Sequence, residues 1–172
     1  MQNELSIHDA CSSIISVLHE CIGGAEESGA FLEPGPHGLL HVLDAIDAEQ
    51  ASRPSAGASV ATHALHVAFS LDVFLAWIRG NNAITPDWTA SWAQSAVTEE
   101  EWKTLRSRIA IQASQLEAAI AAHAPADAKA LWGALGALAH TAFHLGCIQI
   151  KVDALLDADS HLELEKAPHH PT

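Results

Sequence analysis

With 172 residues, 49% of them apolar and 17% charged, the chain is long enough for one domain with a substantial core and too apolar to be disordered. Its formal charge of −13 argues against nucleic acid, whose phosphates would be repelled, and against an anionic membrane surface. Three cysteines, Cys11, Cys21 and Cys147, make no CxxC pair or disulfide framework. The N-terminus lacks a basic n-region and an apolar h-region, and polar residues interrupt every apolar stretch. A cytoplasmic protein is expected, with a small-molecule substrate and with neither nucleic acid nor membrane as partner.

Apolar residues recur mostly at three and four, the period of a helix, and no segment alternates as a strand would. The first helix is expected over 5–22, carrying Ile14, Ile15, Val17, Leu18 and Ile22, and stopping at Gly23-Gly24. Residues 23–38, with Glu33-Pro34-Gly35-Pro36, read as a loop. One short helix from Leu39 to Gln50 follows, and then a long one from about Ser59 to Arg79, ended by Gly80-Asn81-Asn82. Residues 80–97 form a connector containing Trp88 and Trp92. Thr98 and Glu101 make a capping box that opens a helix to about His123. Ala124-Pro125 breaks that helix, and a last one spans about Asp127 to Leu156. The pattern predicts an all-α fold, a four-helix bundle with one additional short helix. Residues 1–157 are expected to form a single domain and 158–172 a loose tail.

Twelve histidines are unusual, and two groups of them lie in apolar helical segments. His140 and His144 are one turn apart, about 40° around the helix axis. Two imidazoles stacked in this way can grip one metal ion, and a third from a facing helix would complete a three-nitrogen site. The plainer alternative is a pair of half-buried histidines bonded to backbone. His37 and His41 share the spacing by chance at a helix start, flanked by Pro36 and Gly38. The apolar setting of Leu138-Ala-His-Thr-Ala-Phe-His-Leu-Gly favours ligands, because a buried imidazole needs a partner. His66 is similarly embedded in Ala-Leu-His-Val-Ala-Phe, with His63 one turn before it.

The string Ser59-Val-Ala-Thr-His-Ala-Leu-His-Val-Ala-Phe-Ser-Leu resembles the second-helix signature of the DinB-like metal-binding bundle superfamily. Ala139-His-Thr-Ala-Phe-His-Leu-Gly-Cys-Ile resembles its other hallmark, H-x-x-x-H leading into H-L-G-x-I. Together with Asp87-Trp-Thr-Ala-Ser-Trp and Glu101-Trp-Lys-Thr-Leu-Arg, which resemble an uncharacterised branch, the likeness covers most of residues 35–155. It implies a divalent metal ion, commonly nickel or zinc, with His66, His140 and His144 as ligands and His63 as a neighbouring pocket residue. Cys147 stands where many relatives have Gln. It shares the stripe of His140 as a fourth ligand or, in the favoured reading, as a small buried apolar side chain.

The resemblance further implies an enzyme, most concretely a thiol S-transferase in which the metal activates a low-molecular-weight thiol such as mycothiol or bacillithiol. A metal-dependent hydrolase and a non-catalytic metal-binding stress-response protein are the alternatives. Homodimers are common in that superfamily. Trp88 and Trp92 either lid a pocket or pin the connector. Arg79, Lys103, Arg106 and Arg108 read as surface ion-pair partners rather than an anion site, and Asp44, Asp72 and Asp153 are candidates to orient a ligand imidazole.

Overall fold

The computed structural model describes residues 6–54 and 57–166, with side chains to residue 162. Its helices are α1 (Ile7–Gly23), α2 (Leu39–Asp44), α3 (Ala48–Ser52), α4 (Val60–Ile78), α5 (Glu99–His123) and α6 (Ala128–Lys166). A single 3-10 turn, Ala90–Trp92, interrupts the connector between α4 and α5. No strand occurs among the described residues; Ala25 makes isolated bridges to Pro34 and Gly35. The all-helical expectation therefore holds for the described residues.

Two details differ from the sequence reading. The one short helix expected over 39–50 is two helices. Asp47 accepts from the Gln50 N–H while the Gln50 side chain returns to the Asp47 N–H, a capping box that starts α3 afresh. The last helix runs ten residues past Leu156, to Lys166, because nothing between them is a breaker. Of the tail expected to be loose, residues 158–166 are thus helical, and 167–172 lie outside the described residues, as does Leu5 of the first helix.

The four long helices pack in pairs, α4 against α5 and α6, and α1 against the same two. One apolar core runs between them, with Leu18, Leu71, Ile109, Leu116, Leu145 and Ile148 fully buried. Trp102 is buried there too, and its indole N–H donates to the Ile46 carbonyl at 3.1 Å, tying α5 to the turn before α3. By length and composition α4 and the stretch Ala128–Leu162 would each suffice to cross a membrane. Most of α4 is buried within the protein, as a core helix is.

The loop after α1 is organised by one buried carboxylate. Glu20 accepts from the N–H groups of Ala30, at 3.0 Å, Phe31, at 2.8 Å, and Leu32. Burial raises its pKa, but these three donors outweigh it and leave the group below its ordinary value.

The seam between α4 and α6, the two helices that carry the apolar histidines, is built from small residues. Ala130, Ala134 and Ala137 are fully buried. A Cβ at Gly136 would lie 2.9 Å from the Phe74 ring, and one at Gly133 would lie 3.1 Å from Ile78. Side chains larger than hydrogen at these positions would wedge the two helices apart. Gly136→Val is therefore expected to destabilise the protein by roughly 1–3 kcal/mol through overpacking. Phe74→Leu should recover part of that loss in the double variant. Urea unfolding of the four proteins in this cycle measures the coupling, and additive effects would refute the contact.

Candidate metal centre

The cluster is assembled by α4 and α6 and roofed by the connector. Ser59 caps α4, accepting from the Thr62 N–H at 3.1 Å, and its hydroxyl donates to the Ser95 carbonyl at 2.7 Å. The Thr62 hydroxyl donates to the Gln94 carbonyl at 3.0 Å. The end of the connector is thereby fastened to the first turn of α4, directly below His63 and His66. At its other side Asp87 closes a turn by accepting from the Ala90 N–H at 2.9 Å.

His66 from α4 meets His140 and His144 from α6, and one ring nitrogen from each falls within 4.8 Å of the others. Ring centroids stand 5.0 Å apart for His66 and His140, 4.9 Å for His66 and His144, and 4.5 Å for His140 and His144. His66 and His144 are only 3% and 2% exposed, and His140 is half-buried. Trp92 stacks on His66 with centroids 4.1 Å apart, and Trp88 lies beside His66 and His140 at 5.9 and 6.0 Å. The two tryptophans thus pin the connector over the histidines.

His63 is brought to the edge of the group. Its Nδ1 lies 3.0 Å from Nδ1 of His144, and its ring stands edge-on to Trp92. Cys147 is a half-buried free thiol and is not part of the three-histidine group. The carboxylates go elsewhere: Asp44 pairs with Arg106, Asp72 pairs with Arg108, and Asp153 lines a separate cavity beside Pro36 and His37. His37 and His41 are exposed. The group that does meet a cluster nitrogen, and that sequence reasoning missed, is Ser91, whose Oγ lies 2.7 Å from Nδ1 of His66. Twenty-five positions separate these residues, and no spacing rule links a connector serine to a helix histidine.

The donor set fits a divalent cation. His66 has Nδ1 engaged by Ser91 and His144 has Nδ1 engaged by His63, so each keeps Nε2 free of those contacts. In His140, Nε2 is buried with no hydrogen-bond partner among the described residues. An orphaned buried imidazole nitrogen is costly, and a cation is one way to satisfy it.

All four rings are held below the ordinary imidazole pKa. Desolvation is the leading cause throughout, and repulsion from neighbouring imidazolium charges adds to it at His66 and His144. His66 is pushed down to about 4 and His144 to about 3. The rings are therefore uncharged at neutral pH, with lone pairs unblocked by protons. For the metal-free protein the sign is fixed. The unfolded chain takes up protons near 6.5 while the folded one resists them until about 4, so stability is full above 6.5 and falls as pH drops between these values. Urea unfolding at stepped pH should show this decline, with a shallower slope in His144→Gln; an equal slope would contradict the assignment.

The family model described as the DinB superfamily matches residues 32–148, a span containing α2 to α5, the connector and all three histidines. No curated protein and no solved structure matches the chain. The family match covers more than half of the sequence, and its span holds the same histidines that the fold draws together: the chain belongs to the DinB superfamily.

Proposed function

We propose that His66, His140 and His144 hold one divalent cation, nickel or zinc, in a four-helix bundle made by α1, α4, α5 and α6. We further propose that the protein is a metal-dependent enzyme, a thiol S-transferase. The observation that carries the metal site is the convergence of one ring nitrogen from each of three histidines within 4.8 Å, beside the fact that Nε2 of His140 is buried and without a hydrogen-bond partner among the described residues. When bound, such a cation supplies Lewis acidity that favours the thiolate of a low-molecular-weight thiol at neutral pH. The protein's own contribution is to hold uncharged rings in position and to keep water from them with Trp88 and Trp92. The thiol substrate class follows from the family resemblance rather than from any contact at the site.

A second reading is a structural, non-catalytic metal. It draws on the near-complete burial of His66 and His144 beneath the connector. Elemental analysis of protein purified without added metal should find one divalent ion per chain in the native protein and little in His144→Ala; equal content in both would remove the site. With the site established, the loaded protein is given low-molecular-weight thiols and an electrophile. A rate above that of His140→Ala supports the transferase. No such rate, with a large rise in melting temperature on loading, favours the structural metal.

A further inference from the structure

We infer that Ser91 is a positioning residue that fixes the His66 ring as its Nδ1–H tautomer, leaving the Nε2 lone pair for the cation. This deepens the three-histidine reading and rests on it. The Ser91 hydroxyl lies 2.7 Å from the Trp88 carbonyl oxygen and 2.7 Å from Nδ1 of His66. A carbonyl can only accept, so the single hydroxyl proton goes to Trp88. Towards His66 the serine oxygen then presents only lone pairs, and the ring must supply the proton from Nδ1. An uncharged imidazole has one N–H, so Nε2 is left bare.

Among the described residues, nothing else near the cluster fixes a ring in this way. The His63–His144 contact joins two like nitrogens, and either can donate. A free histidine side chain prefers the opposite tautomer, with the proton on Nε2, which would stand where a cation must bind. Ser91 reverses that preference, and its own place is well determined. It sits in the 3-10 turn that Asp87 closes, its N–H donates to the Asp87 carbonyl at 3.3 Å, and its neighbour Trp92 lies flat on the His66 ring. Hydrogen bonds to the outer nitrogen of a ligating histidine commonly govern metal affinity by about 10- to 100-fold.

The test reads the tautomer directly in the full-length, metal-free protein. Long-range proton–nitrogen NMR spectra of 15N-histidine-labelled protein at neutral pH distinguish the two nitrogens, and His66 is assigned by its absence in His66→Gln. The native ring should carry its proton on Nδ1, Ser91→Ala should move it largely to Nε2, and Ser91→Thr, which keeps the hydroxyl, should restore it. Zinc affinity, measured by competition with a chromophoric chelator, should fall about 10- to 100-fold in Ser91→Ala and largely recover in Ser91→Thr. An Nε2–H native ring, or an Nδ1–H ring that persists in Ser91→Ala, overturns the inference, as does unchanged zinc affinity in a shifted ring. If His66→Gln loses zinc in these experiments while Ser91→Ala binds it normally, the inference fails and the three-histidine reading stands. If the native protein takes up no zinc or nickel, that reading fails, and the role of Ser91 towards a cation fails with it.

Discussion

The close approach of α4 and α6 is the constraint on which the rest depends. Imidazole is short, so nitrogens on two helices reach one point only if the backbones come near each other. Gly133 and Gly136 face Ile78 and Phe74, and buried alanines flank them, which lets the helices close. Gly136 stands one turn before His140, and Phe74, which it accommodates, also packs edge-on against the His140 ring. The packing that joins the helices therefore also sets the position of a cluster histidine.

Burial then dictates how the nitrogens are used. Each of these rings has two nitrogens, and in a low-dielectric interior each nitrogen needs a partner. Ser91 serves one on His66, and His63 and His144 serve one another. Nε2 of His140 is the ring nitrogen left over, buried and without a hydrogen-bond partner among the described residues. Polar groups left over in a core are ordinarily removed by packing or by hydrogen bonding. Here one such leftover belongs to a histidine that has two further imidazoles within reach, which is what distinguishes the group from a chance set of buried histidines.

How much of this is legible in the sequence depends on the range of the interaction. Local signals read well: Thr98 does cap α5, α4 does begin beside Ser59, and the spacing of His140 and His144 does put both on one face of α6. The Asp47 capping box is local too, yet it is hidden inside an apolar run that looks like a single short helix. The end of α6 lies later than expected because acidic, polar residues imitate a tail although no glycine or proline separates them from the helix. Long-range facts cannot be read. Asp44 and Asp72 are candidates to orient an imidazole by residue type alone, but arginines on α5 claim them, a pairing decided by how α5 lies against its neighbours. Ser91 cannot be distinguished from other connector serines until the chain has folded back over His66.

The choice of uncharged donors is notable in a chain of net charge −13. Acidic side chains are plentiful, yet among the described residues none joins the three-histidine group, and the Cys147 thiol stays outside it. Carboxylate or thiolate donors would bind a divalent cation more tightly through charge, but they would also neutralise it and blunt its pull on a substrate's electrons. Three imidazoles would leave a bound cation's full charge available, and burial beneath Trp92 would lower the dielectric through which that charge acts. Affinity in such a site must come from geometry and from the correct protonation of each ring. A single connector hydroxyl can then carry weight far beyond one ordinary hydrogen bond.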